Sequence, residues 1–469
     1  MSNKTRIEHD LIGDKAVPAN AYYGVQTLRA TENFKISRSY LYHFPELIYA
    51  FAQVKEAAAL TNKDLGILEP KIANAIVEAC KQVKTGKYNN QFVVDMMQGG
   101  AGTSTNMNAN EVIANVALEL LGHKKGEYKF CHPNNHVNLS QSTNDAYPTA
   151  LRIGLYRSIT VLEESLKDLI KSFRKKGKEF SEVIKMGRTQ LQDAVPMTLG
   201  QEFEAFAVNL SEEINRLKQN KKLLLEVNMG ATAIGTGINA DPEFTPRCVK
   251  HLAQITDLEI KAASNLIEAT SDTGVFIMNS SAIKRLAIKL SKISSDLRLL
   301  SSGPRTGLNE INLPPMQPGS SIMPGKVNPV IPEVVNQIAF RVIGNDLAVT
   351  LGSEAGQLQL NVMEPVIAYS LLENVEILNN GMNTLNDKCI KGITANADNC
   401  KAMVLNSIGL VTALNPYLGY EVSTDLAAKA LKTGKGVYEL VLEEGLMDEE
   451  KLNDILRPEN MIKPRKFGK

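Results

Sequence analysis

Four short segments of this chain concentrate the residue types that grip small anions and move protons: Gln98 to Asn108, Ser140 to Asp145, Gly187 to Asp193, and Pro318 to Pro329. The first carries Thr103, the second Ser142, Thr143 and Asn144, the third Thr189 and Gln190, and the fourth Ser320, Ser321, Lys326 and Asn328. Each is dense in Gly, Ser, Thr or Asn, and each is expected to lead into a helical tract. Backbone N–H groups and short hydroxyls at helix starts are what the binding of a small anion requires. Taken singly, the first three are weak signals and read better as ordinary helix N-caps. The fourth is different. Pro318, Pro324 and Pro329 stiffen some positions while Gly319 and Gly325 free others, around two serines, a lysine and an asparagine.

The elements that must position these loops are helices. Ile283, Leu286, Leu290, Ile293, Leu297 and Leu300 recur three or four residues apart, which makes one continuous stripe on a helix of 3.6 residues per turn. That tract runs over about 276–302, and Gly303-Pro304 ends it. A second stripe joins Phe203, Phe206, Leu210, Ile214, Leu217 and Leu224; further tracts cover about 151–178, 332–351 and 364–385. The last two are apolar or small around most of their circumference, so other helices must cover them, including helices of other subunits. Strand signals are nearly absent, with no βαβ rhythm and no Asn-Gly hairpin turn. The expected fold class is all-α, in three domains: 1–144 mostly short helices, 145–397 a long-helix bundle, and 398–469 a small helical domain.

Bulk properties exclude several classes. The 469 residues carry 52 Lys plus Arg against 51 Asp plus Glu, so no concentrated basic face is offered to nucleic acid. The one basic cluster, Lys463, Arg465, Lys466 and Lys469, reads as a solvated tail. No apolar run is long enough for a membrane helix, and Met1 to Pro18 lacks the apolar core of an export signal, so a cytoplasmic location is expected. The five cysteines show no CxxC spacing and read as reduced thiols. The six histidines form no HxH or HExxH arrangement, so no metal is expected, and Pro133 places His132 and His136 in a loop. Gly235 to Ala240 fits a loose dinucleotide fingerprint, but a helical tract precedes it where the fingerprint needs a strand, and it is read as a chance match.

The eleven residues Gly319 to Pro329 resemble the signature loop of the fumarase/aspartase superfamily, and the other three segments resemble its remaining substrate-binding regions in the same order. The resemblance spans essentially the whole chain. It implies a homotetramer with a twenty-helix core, five long helices from each subunit, and active sites each shared by three subunits. It also implies a reaction that removes a proton beside one carboxylate and expels a group from the neighbouring carbon, through a doubly charged aci-carboxylate. Ser320 then corresponds to the base, acting as an alkoxide stabilised by positive charge and N–H donors, for which Lys326, also catalytic in this sense, and Asn328 on the same loop and the start of the following helix are the sources. Thr103, Ser142, Thr143 and Ser321 correspond to the groups around the first carboxylate, and Lys326 and Asn328 to those around the second. Asn144, Thr189 and Gln190 correspond to the groups around the leaving group. No cofactor is expected to be required; activation by a divalent cation is left open.

At one point the chain departs from most of that superfamily, which has Thr-His where Thr189-Gln190 stands. Fumarases pair that histidine with the glutamate matching Glu333, which is carried over here only as a residue behind the binding groups. Hydroxide needs a proton donor to leave. An amine bound as ammonium already carries its proton, and an amide can accept a hydrogen bond from it. Gln190 therefore favours elimination of ammonia from aspartate to give fumarate. A class II fumarate hydratase is the alternative, and a non-catalytic binding protein of the same fold a remoter one.

Overall fold

The structure is a computed structural model that describes residues 4–462; the basic cluster Lys463, Arg465, Lys466 and Lys469 lies outside the described residues. Helices dominate. In chain order they are α1 (Val25–Asn33), α2 (Pro45–Asp64), α3 (Pro70–Lys84), α4 (Thr103–Leu120), α5 (Thr143–Glu179), α6 (Leu199–Lys222), α7 (Phe244–Thr256), α8 (Leu266–Ser271), α9 (Gly274–Leu300), α10 (Val330–Glu354) and α11 (Glu364–Lys388). Six shorter helices follow: α12 (Ala397–Asn406), α13 (Leu410–Leu418), α14 (Tyr420–Thr433), α15 (Val437–Glu443), α16 (Glu449–Ile455) and α17 (Pro458–Met461). The five tracts read from apolar spacing are α5, α6, α9, α10 and α11, and the all-α class holds.

The chain divides into two compact units. One takes Met1–Glu163, Asn215–Arg285 and Phe340–Ile377; the other takes Glu164–Ile214, Leu286–Ala339 and Leu378–Lys469. The boundaries fall within the five long helices.

In the first unit α2 is buried on nearly every face, through Leu47, Ile48, Phe51, Val54 and Ala58, as expected of a helix enclosed by α3, α4 and α7. Polar pairs cross between the long helices and set their register: Lys221 Nζ with Glu163 at 2.8 Å, Ser280 Oγ with Asp346 Oδ1 at 2.7 Å, and Asn345 Nδ2 with Asn374 Oδ1 at 2.8 Å.

In the second unit Phe173 and Phe180 of α5 and the residue beyond it meet Phe203 and Phe206 of α6, with ring centroids 5.2 to 6.0 Å apart. Asn336 of α10 donates to the Ser291 carbonyl of α9 at 2.9 Å and to Ser295 Oγ at 3.1 Å. The C-terminal helices share a separate core, in which Val404, Leu410, Leu414, Leu426 and Val441 surround Ile184 and Met186.

Those last two residues belong to a strand, and here the structure corrects the sequence reading. Among the described residues, β1 (Thr5–Asp10) and β2 (Gly13–Pro18) form one antiparallel hairpin, and β3 (Ile184–Thr189) and β4 (Gln192–Thr198) form another. The third polar segment is thus a hairpin tip, not a loop leading straight into a helix. Its two central residues, Gln190 and Leu191, have φ of +54° and +62°, the I′ pattern that normally calls for Asn-Gly. Without that dipeptide the turn leaves no sequence signal. Pro133–Val137 is likewise not a plain loop but a short π-helical turn, where His136 Nδ1 accepts the His132 N–H at 2.9 Å. Gly235 to Ala240 is followed by no helix before Phe244, which is incompatible with a dinucleotide fingerprint. All five cysteines are buried free thiols.

The aromatic cluster gives the test of this packing. Phe203→Ala is expected to cost about 3–5 kcal/mol, read as a lowered thermal midpoint of unfolding.

Candidate active site

Two of the four polar segments come together in the first unit. Thr103 opens α4 and Thr143 opens α5, with Ser142 immediately ahead. The helix starts are locked side by side. Gly102, at φ +89°, lies so close to the Tyr147 ring that an added Cβ would come within 2.4 Å of it, and one turn into α4 Asn106 Nδ2 donates to Thr143 Oγ1 at 3.1 Å. Two adjacent helix N-termini concentrate free N–H groups and positive dipole ends, a ready anion site.

The Ser140–Asp145 segment is held from beneath. Asp145 accepts the Ser142 N–H at 2.9 Å with one oxygen and the N–H groups of Gly230 and Thr232 at 3.2 and 2.9 Å with the other. Burial raises its carboxyl to about 6, against the pull of those N–H groups and of Lys55. Pro148 cannot donate to the carbonyl four residues back, and that carbonyl, on Asn144, instead accepts from Asn228 Nδ2 at 3.0 Å. Asn144 Nδ2 donates to the Ala233 carbonyl at 2.7 Å, which leaves its Oδ1 as an acceptor.

The other two segments lie in the second unit. Thr189 and Gln190 are exposed at the β3–β4 tip. The hairpin is anchored by Glu310, which is fully buried and meets Arg188 Nη1 at 2.5 Å and Lys185 Nζ at 2.8 Å; Lys185 also meets Glu202 at 2.5 Å. On the β4 side Ser407 Oγ donates to Asp193 at 2.7 Å.

The signature loop closes on itself. The Gly319 N–H donates to the Lys326 carbonyl at 2.6 Å, and Asn328 Nδ2 to the Gly319 carbonyl at 2.8 Å. Within this ring Ser320 Oγ accepts the N–H groups of Ile322 and Met323 at 3.2 and 3.1 Å. Ser321 and Lys326 are exposed. Glu333, in the first turn of α10, lies 3.8 Å from Arg298 Nη2.

Strain marks the same places. Non-glycine residues in left-handed backbone include Ala101, Ser140, Gln190 and Leu191, one or more in each of the first three polar segments. Each costs roughly 1–2 kcal/mol, and such residues gather where function holds them. Sequence reasoning missed the supports: Lys55, Asn106, Asp145, Arg188 and Glu310. A signal existed for Lys55, a cation amid the apolar residues of α2. None existed for Glu310, whose partners lie far away in the chain. Among the described residues no group of three His, Cys, Asp or Glu side chains is placed to hold a metal ion.

Glu310→Gln removes the counter-charge of buried Lys185 and partly buried Arg188. It is expected to destabilise the protein by about 3 kcal/mol, the low end for breaking a buried pair because Glu202 still faces Lys185. Circular dichroism in a denaturant series would measure the loss.

Comparison with known proteins agrees with this architecture. The family described as Lyase matches residues 13–344, and that described as Fumarase C C-terminus matches 410–463. The chain is 63% identical to the aspartate ammonia-lyase of Pseudomonas aeruginosa, covering 98% of each sequence. It is 56% identical to that of Escherichia coli, over 99% of this chain and 97% of the relative. Among solved structures, the fumarate lyase:delta crystallin of Brucella melitensis bound to cobalt is 53% identical with a TM-score of 0.95, over 98% and 100% of the two chains. The class II fumarase of Schistosoma mansoni is 37% identical with a TM-score of 0.91, over 97% and 98%. With a helical fold and a signature loop of this kind, matched along nearly its full length, the chain belongs to the fumarase/aspartase superfamily of lyases.

Proposed function

We propose that this protein eliminates ammonia from L-aspartate to give fumarate, a carbon–nitrogen lyase reaction that runs in both directions. Relatives named aspartate ammonia-lyase, 56 to 63% identical along nearly the whole chain, set the reaction class. The observation that favours an amine as leaving group is Gln190 at the hairpin tip, with Glu333 facing Arg298 and, among the described residues, no histidine paired with it.

In this reading the donors at the starts of α4 and α5, from Thr103, Ser142 and Thr143, take the carboxylate next to the abstracted proton, together with Ser321. Charge builds there as the aci-carboxylate forms, so fixed donors act mainly in the transition state. Ser320 removes the proton, and the two loop N–H groups on its Oγ stabilise the alkoxide it needs to become. Lys326 and Asn328 hold the second carboxylate. One Asn328 N–H is committed to the Gly319 carbonyl, so its other N–H and the Lys326 ammonium do the holding. Thr189, Gln190 and the free Oδ1 of Asn144 surround the ammonium, which leaves as ammonia once the carbon–nitrogen bond breaks. No cofactor is required in this reading.

The sites are shared among three subunits of a homotetramer. Support comes from α10, where Phe340, Ile343, Leu347 and Leu351 form a stripe 65%, 40%, 59% and 58% exposed, an apolar face of the kind that association covers. The three-part division at 144 and 397 belongs to the same reading. Cytoplasmic residence is consistent with it, and among the described residues no helix is long and apolar enough to cross a membrane.

The purified protein should form fumarate from L-aspartate and not from L-malate, followed by ultraviolet absorbance. Ser320→Ala should lower kcat by at least about 10²-fold. Fumarate from malate would make the protein a hydratase instead.

A further inference from the structure

We propose that Lys55 is a positioning residue for the substrate carboxylate: from inside α2 its ammonium fixes the orientation of the Asn106 amide, and that amide turns the Thr143 hydroxyl proton toward the site. The proposal rests on the reading that Thr143 binds a carboxylate of aspartate and fumarate.

Lys55 is fully buried. Its Nζ donates to Asn106 Oδ1 at 2.7 Å, Asn138 Oδ1 at 2.9 Å and Gln141 Oε1 at 2.9 Å. All three of its protons go to neutral amide oxygens, and among the described residues no carboxylate lies within ion-pair distance of it. Buried charges are ordinarily paired, so a cation kept here with amides alone calls for an anion that arrives from outside.

The geometry says how it acts. An ammonium only donates, so Asn106 must present its oxygen to Lys55 and its NH2 the other way. That NH2 donates to Thr143 Oγ1 at 3.1 Å and to Asn138 Oδ1 at 3.2 Å. Thr143 Oγ1 is therefore already an acceptor, and among the described residues nothing accepts its proton. Were the Asn106 amide reversed, the Thr143 hydroxyl would donate inward to Oδ1 and be lost to a bound carboxylate. Gln141, the residue just before Ser142, is tied to the same ammonium.

The titratable groups that face Lys55 are Asp145 of α5, Cys80 of α3 and Cys248 of α7. Burial pushes the Cys248 thiol up to about 12 and the Cys80 thiol well above its usual range, so both are neutral. The Asp145 oxygens are occupied by three backbone N–H groups. Burial lowers the Lys55 ammonium to about 7, with Asp145 pulling the other way. A carboxylate arriving at the start of α5 favours the charged form, so binding draws a proton onto Lys55, and affinity falls as pH rises through that value.

The test titrates the wild-type enzyme with fumarate, which has no group titrating near neutrality, in two buffers of different ionisation heat. Lys55→Met is run alongside, and aspartate turnover is the control. We expect net proton uptake by the wild type near pH 7.5, and a fumarate affinity that weakens with rising pH. In Lys55→Met we expect no uptake and an affinity about ten- to a hundredfold weaker at low pH, the scale of one hydrogen bond to a charged group. An active wild type that takes up no proton, or a folded Lys55→Met that takes up as much, overturns this proposal alone. If Lys55→Met fails to fold, an active wild type that takes up no proton still overturns the proposal. A wild type that neither turns over aspartate nor binds fumarate overturns the reaction assigned above, and this proposal with it.

Discussion

Everything at this site depends on long helices that do not slip along one another. Slipping by a single helical turn would carry a loop at a helix end 5.4 Å from where it must be, far beyond the tolerance of a hydrogen-bonded substrate. Apolar stripes alone resist such a slip weakly, because one leucine ridge fits a neighbouring groove nearly as well as the next. Polar pairs between helices remove the ambiguity. In one unit Asp346 takes Ser280 and Lys284, and in the other Asn336 takes Ser291 and Ser295. A one-turn shift would leave the buried Asp346 and Asn336 without these partners, at about 1–3 kcal/mol apiece.

The same logic, polar groups set behind apolar walls, shapes the loops. Asp145 collects three backbone N–H groups, Glu310 collects Arg188 and Lys185, and Lys55 collects three amide oxygens. None of these side chains needs to touch substrate. Together they hold residues such as Ser140, Gln190 and Leu191 in backbone conformations that an unsupported chain would leave. The groups proposed to bind substrate are mostly small and neutral, mainly hydroxyls, amides and N–H groups. Such groups suit a reaction whose hardest species is a dianion, because they are already oriented when the charge appears.

The hairpin tip shows how little separates the two chemistries of this superfamily. Replacing an imidazole by an amide at position 190 removes a proton donor and keeps a hydrogen-bond acceptor. An ammonium needs the second and not the first. Glu333, with Arg298 as its neighbour, is then free of the role that a histidine partner would give it.

The sequence by itself determined the long helices and the signature loop. Apolar spacing finds α5, α6, α9, α10 and α11 and places the ends of the last three to within a few residues, although α5 begins at Thr143, ahead of the expected start near 151; a helix in this fold must turn a stripe inward, and that stripe is written in local order. The eleven residues from Gly319 to Pro329 identify the superfamily because prolines and glycines restrict the backbone locally as well. Tertiary structure decided what hangs on distant partners. The β3–β4 hairpin carries no turn dipeptide and exists because Ile184 and Met186 find a core made by residues 404–455. Glu310 reads as one more acidic residue until folding places it between Lys185 and Arg188, more than a hundred positions earlier. Lys55 is the clearest case. Its position on α2 is a matter of periodicity, but the amides that make it useful come from α4 and from the turn before α5, and only folding brings them to one nitrogen.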